Sequence, residues 1–319
     1  MLVRFWGTRG SLPSPLSNAA VRSKIRKAVI AAIGKGLDNE DGVDAFIDGE
    51  LAFPQRGTYG GNSPCVQIDI GTDAYFLCDL GTGAREFGHY AMARSRVHGP
   101  RPTNVFMSHV HWDHIMGFPF YAPAYVAGHR IRIHGCHAEL ERAFRRQHGA
   151  PSFPVRFDQL AADIEFVRLE PERWYDVDGL RVTALVQHHG GDSYAYRFEH
   201  RDRSVVYSTD SEHKAQALNE DYPFVRFFRG ADLVIFDAMY SLADSVSVKE
   251  DWGHSSNIVG VELCHMAGAK RLCLFHHEPI HDDDAIDTVL RETIRFEEIS
   301  REGAGLEVIA AYDGLEIRL

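Results

Sequence analysis

The chain has 319 residues, 45% hydrophobic and 25% charged, with a formal net charge of -11. This composition predicts a soluble globular protein of one large domain or two modest ones. No apolar run approaches the roughly 18 residues that cross a bilayer, and 45 acidic against 34 basic residues argue against a broad, non-specific nucleic-acid surface.

The chain starts with an alternating strand at 2–6, without an apolar leader or a small-residue cleavage site, so no signal peptide is read. Gly7, Gly10, Pro13 and Pro15 then force a loop. Val21, Ile25, Val29 and Ile33 recur at i, i+4 and predict an amphipathic helix over 18–34; a second is expected at 43–51. A glycine-rich loop follows at 56–62. Strands are expected at 65–70 and 74–78, then a tight turn at 79–83 and a helix near 84–95. A strand at 131–134 and a helix at 137–147 come next. Further strands are expected at 164–168, 180–187, 194–198, 204–208 and 231–237. Residues 257–267 read as a helix, 271–275 as a strand, and 283–297 as a helix opened by three aspartates. Strands at 306–311 and 315–319 close the chain.

Strands come in runs followed by helices, and the arrangement occurs twice. Two mixed sheets packed together with helices outside satisfy that order. No linker or repeat divides the chain, so one domain over 1–319 with a helical insertion at about 15–56 is expected. Five scattered cysteines without a Cys-x-x-Cys favour a reducing, cytoplasmic setting.

The chemistry centres on 105–117. An apolar run, Asn104 to Met107, reads as a buried strand, and His109, His111, Asp113 and His114 follow it as His-x-His-x-Asp-His. One histidine at a strand end is usually a hydrogen-bonded loop residue. Three with an aspartate within six residues are ligand spacing, and imidazole with carboxylate and no thiolate suits catalytic zinc, iron or manganese. Four later sites repeat the strand-then-ligand pattern: His188 and His189, Asp210, His254 before a helix, and His276 and His277. Together they could complete two metal sites.

With these motifs, and with 5–13, 59–62, 79–83, 208–210, 253–255 and 275–279, the chain resembles the metallo-β-lactamase fold hydrolases. It is most similar to the phosphodiesterase branch that includes ribonuclease Z and the cyclic-nucleotide phosphodiesterases. The resemblance implies an α+β, αββα sandwich and two divalent ions, zinc first and manganese second. It implies His109, His111 and His188 on one ion, Asp113, His114 and His276 on the other, and Asp210 between them. Asp79 would orient a ligand histidine. Asp113 would also accept a proton from water, and His254 would protonate the leaving oxygen. Tyr59 and Asn62 are placed in the pocket by the position of their loop.

The expected function is hydrolysis of a small phosphodiester, with a cyclic nucleotide first. The alternatives are a ribonuclease Z-like RNA endonuclease, a thioester or lactone hydrolase on the same metal core, and a non-catalytic metal-binding regulator. The insertion is expected to be a lid, a subunit contact in a homodimer, or a cover for a sheet edge. No membrane partner is expected.

Overall fold

The computed structural model describes residues 1–214, 219–240 and 252–319. One sheet holds β1 (Leu2–Gly7), β2 (Cys65–Asp69), β3 (Tyr75–Cys78), β4 (Thr103–Met107), β5 (Arg130–Gly135), β6 (Asp163–Arg168) and the last strand, β14 (Glu316–Arg318), in the order β14-β1-β2-β3-β4-β5-β6. The other holds β7 (Tyr175–Val177), β8 (Leu180–Gln187), β9 (Ser193–His200), β10 (Arg203–Ser208), β11 (Leu233–Asp237), β12 (Arg271–Phe275) and β13 (Glu307–Ala310), in the order β13-β12-β11-β10-β9-β8-β7.

Each sheet is half antiparallel and half parallel. Strands β3 to β6 pair in parallel, as do β10 to β13. Parallel neighbours need a crossover. Helix α4 (Gly83–His98) supplies one between β3 and β4, and α9 (Asp283–Ser300) supplies one between β12 and β13. Such strands are covered on both faces and read as continuous apolar runs. Every residue of β4 and β11 is buried.

Three apolar clusters make the four layers. Phe5, Phe76 and Phe106 of the first sheet meet Phe198, Tyr207 and Phe275 of the second between the sheets. Outside the first sheet, Leu77, Val105 and Ile133 meet Phe87 of α4 and Phe144 of α6 (Leu140–Gln147). Outside the second, Val234 and Leu272 meet Phe228 of α7 (Pro223–Phe228) and Val261 of α8 (Asn257–Ala267). Truncating one of these phenylalanines, as in Phe106→Ala, would cost about 3–5 kcal/mol. The architecture is the expected αββα sandwich.

Helices α1 (Asn18–Ala32), α2 (Glu40–Glu50) and α3 (Phe53–Arg56) fill most of the 15–56 segment. Helix α1 departs from its expected orientation: none of its residues is buried, and Val21, Ile25, Val29 and Ile33 are 41–75% exposed. Its anchors are polar. Ser17 caps the first turn, and the Lys24 ammonium meets the buried Asp283 carboxylate at 2.5 Å. Helix α2 starts earlier than its apolar pattern suggested, because the Asn39 side chain accepts the Gly42 N–H. All five cysteines are buried free thiols.

Candidate metal centre

The site lies at the carboxyl ends of the strands, where open parallel sheets present their chemistry. Asp79 follows β3, His109 follows β4, His189 follows β8, Asp210 follows β10, Asp237 ends β11 and His276 follows β12. Asp79, Asp210 and His276 have φ of 59°, 35° and 60°. Non-glycine residues rarely occupy that region, and each such residue costs on the order of 1–3 kcal/mol.

His111 leads into α5 (Trp112–Ile115), a single helical turn that turns Asp113, His114 and Ile115 inward. Asp79 is fully buried and accepts four hydrogen bonds: Ser108 N–H at 2.8 Å, Ser108 Oγ at 2.7 Å, Tyr207 Oη at 2.7 Å and His114 Nδ1 at 2.7 Å. His114 Nδ1 therefore carries a proton, and Nε2 faces Asp113 at 3.2 Å and Asp210 at 3.3 Å, a position where a bound cation would take the place of a second proton. Ser108 gives its only hydroxyl proton to Asp79, so it accepts from His109 Nδ1 at 3.0 Å. His109 Nε2 is then a bare lone pair. Both Nε2 atoms are buried without a hydrogen-bond partner among the described residues. Orphaned buried acceptors of this kind are what a metal ion satisfies.

Two ligand sets result. The first is His109, His111 and His189; the second is Asp113, His114, Asp210 and His276, and within each set the ligand atoms lie within 4.8 Å of one another. Asp210 faces both. One oxygen meets His114 and His276 at 3.3 and 3.2 Å, and the other meets His109 and His189 at 3.6 and 3.7 Å. These donors fit a pair of divalent ions bridged by one carboxylate.

Charge follows the same geometry. Burial works against the Asp210 and Asp113 anions, yet the facing imidazoles hold both carboxyls below the usual range. Burial opposes the His114 cation, and Asp113, Asp210 and Asp79 outweigh it and raise its pKa. Burial, with the neighbouring histidines, lowers His109 and His111.

His254 stands beside these sets. Its Nδ1 donates to Asp237 at 2.8 Å, and its ring lies 5.1 Å from that of His276 and 5.2 Å from that of His189. Burial disfavours its cation, but Asp237 raises the pKa to about 9. Gly253 makes the approach possible: its φ is 81°, a Cβ there would sit 2.4 Å from His189 Nδ1, and its carbonyl accepts from that nitrogen at 2.8 Å. Gly10 is required in the same way, since its Cβ would fall 2.5 Å from His276 Nδ1.

Three expectations need correction. His189, not His188, joins His109 and His111; His188 is exposed and lines a neighbouring cavity. The pair lies in the bend that follows β8, where His189 is half-buried against the site and His188 is exposed. Tyr59 does not line the pocket: it is 2% exposed, its ring packs 4.8 Å from Phe53, and its hydroxyl donates to Asp287. Asn62 is also tied up, donating to Asp313 and accepting from Thr82. Their loop supports the site from behind.

The sequence reading overlooked Ser108, Tyr207 and Asp237. Asp237 carried a usable signal, an acid ending a buried apolar strand as Asp210 does. Ser108 and Tyr207 carried none.

Residues 74–277 match the beta-lactamase superfamily domain. A ribonuclease Z of Picrophilus torridus is 21% identical over 285 residues, covering 74% of this chain and 84% of that protein. Among solved structures, the metallo-beta-lactamase fold protein YhfI from Bacillus subtilis aligns over 99% of both chains at 18% identity, with a TM-score of 0.65. A diphosphatase of the PhnP family aligns over 100% of this chain and 97% of its own, at 18% identity and a TM-score of 0.59. These two likenesses share the fold described above. The chain thus belongs to the beta-lactamase superfamily and has the metallo-β-lactamase fold.

Proposed function

We propose that the chain hydrolyses a small phosphodiester, with a cyclic nucleotide first among the candidates. The observation that carries this reading is the His254–Asp237 pair, 2.8 Å apart, held beside the two ligand sets that Asp210 joins; His254 also comes within ligand spacing of His189 and Asp210, and of Asp237 and His276. A protonated imidazole at that place suits an ester whose departing oxygen needs a proton.

In this reading His109, His111 and His189 hold one divalent ion, Asp113, His114 and His276 hold the other, and Asp210 joins them. Zinc is the first choice and manganese the second. Bound ions would supply Lewis acidity towards a phosphoryl oxygen and lower the pKa of water. The chain's own residues do the rest. Asp113 takes a proton from the attacking water as the new phosphorus–oxygen bond forms. His254 gives its Nε2 proton to the sugar oxygen as the old bond breaks, leaving a phosphomonoester and an alcohol. Asp237 orients the His254 ring and stabilises its cation. Asp79 and Ser108 hold the His114 and His109 tautomers.

A second reading, an RNA endonuclease, is favoured by the sequence likeness to a ribonuclease Z. Proteins that grip long nucleic acids neutralise several phosphates and bind with strong salt dependence. The excess of 45 acidic over 34 basic residues weighs against that use of this surface. The test compares kcat/KM for 3′,5′-cyclic nucleotides, a lactone, a thioester and a precursor transfer RNA at one salt concentration. Turnover of a cyclic nucleotide is expected. Efficient cleavage of the RNA with negligible turnover of every cyclic nucleotide would replace the first reading with the second.

A further inference from the structure

Beside the ligand motif lies a groove of about 710 Å³, bordered by Val110, Trp112 and Met116 on one side and Arg142, Ala143 and Arg146 on the other. That is the size of a small-molecule site. We infer that this groove binds a nucleobase, with Trp112 as the stacking face and Arg146 as the donor to the base edge. Resting on the phosphodiesterase reading, this makes the substrate class nucleoside phosphodiesters and not simple alkyl ones.

Trp112 is the first argument. The turn it opens exists to aim Asp113 and His114 at the site, and both are buried. Trp112 points the other way, 80% exposed, and makes no ring contact among the described residues. A side chain that can bury 150–250 Å² of apolar surface is thus left in water between two metal-binding residues. Nothing in the fold calls for an indole there. A flat partner would use it, since every base has a π-face and stacking tolerates any of them.

The facing wall is the second argument. Helix α6 carries three arginines. Arg142 meets Glu139 at 2.6 Å and Arg145 meets Glu141 at 2.7 Å. Arg146 is exposed, and its guanidinium borders the groove without an ion-pair partner among the described residues. Its planar fork suits the acceptor edge of a base and can also stack on it. Ile115 and Pro119 add apolar lining between the two walls, and Glu139, Gln147 and Ser152 add polar groups, the Glu139 carboxylate being paired with Arg142. An acyl chain would suit that lining but would have no use for Arg146. A polynucleotide strand would need more free cations than this wall offers. The cavity beside His254, bordered by Trp252 and Glu278, is smaller, at 230 Å³.

The test uses metal-loaded protein and calorimetric titration with adenosine 5′-monophosphate and ribose 5-phosphate, which differ only in the base. The unaltered protein should bind the nucleotide at least about tenfold more tightly, the scale of one base stack. Trp112→Ala should bring the two ligands to equal affinity, and Arg146→Glu should reduce the difference several-fold from the opposite wall. Trp174→Phe, remote from the groove, should keep the difference. Metal content of each variant guards against loss of the α5 turn, and Arg146→Glu tests the groove without touching that turn. Equal affinity in the unaltered protein, or a difference that survives both groove variants, would overturn the inference. Turnover of methyl p-nitrophenyl phosphate, which has no nucleoside, reports on the phosphodiesterase reading separately. Turnover without nucleotide preference sinks the groove alone; a groove-dependent preference without turnover of any diester sinks the catalytic reading alone.

Discussion

His114–Asp79 and His254–Asp237 are two versions of one pair, with nitrogen-to-oxygen distances of 2.7 and 2.8 Å. In both, the carboxylate ends or follows a parallel strand and the imidazole donates through Nδ1. Their surroundings separate them. Asp79 and His114 are fully buried, and His114 Nε2 looks onto two further carboxylates. His254 comes from a loop, is partly exposed, and borders a small open cavity with Ser11 and Tyr240. The difference teaches that a His–Asp pair has no fixed job. The groups facing its free nitrogen decide whether it offers a lone pair to a metal or a proton to a substrate.

The largest effect that could break this comparison is expected at His114. His114→Ala should lose ion binding at the second set and leave turnover undetectable, whereas elemental analysis should still find the ion on His109, His111 and His189. Full metal occupancy would refute the ligand role. His254→Ala should do the reverse. It should keep both ions and lose about two to four powers of ten in kcat, the range for a general acid. Loss of metal would move His254 into the ligand class and dissolve the distinction.

The two carboxylates sharpen the contrast at smaller cost. Asp79→Asn removes the acceptor that fixes the His114 tautomer, and metal affinity should fall by about 10–100-fold, as measured with a chelating indicator. Asp237→Asn should leave metal affinity nearer the unaltered value and change the pH profile of kcat instead. The sign follows from the pair. Asp237 raises His254 to about 9, so the proton-donating form persists below that pH and is lost above it. Without the carboxylate, burial remains and the pKa drops, so the alkaline limb should move to lower pH. A limb that stays in place would show that another group titrates there.

The smallest effect is expected at His188. His188→Ala should change kcat/KM less than about twofold, since exposed substitutions away from such features are nearly neutral. His189→Ala should lose the ion that His109 and His111 share. The opposite outcome would restore the sequence-based choice.

The sequence alone determined the two runs of strands, the helices that cross between parallel neighbours, and the dense ligand motif at 109–114. Those features are local. A strand of five buried residues and a four-residue turn place His109, His111, Asp113 and His114 with little help from the rest of the chain. Asp210 and His276, each after an apolar strand, and His254, before a helix, were weak signals singly and took their roles from the family resemblance. Tertiary structure decided what depends on long-range contact. It chose His189 over His188, because the bend after β8 lets His189 Nδ1 meet the carbonyl of Gly253, 64 residues away, and face the site. It gave Asp79 its fourth hydrogen bond through Tyr207, 128 residues away, a contact no motif records. It also withdrew Tyr59 and Asn62 from the pocket, since Asp283, Asp287 and Asp313, far along the chain, hold their loop from behind.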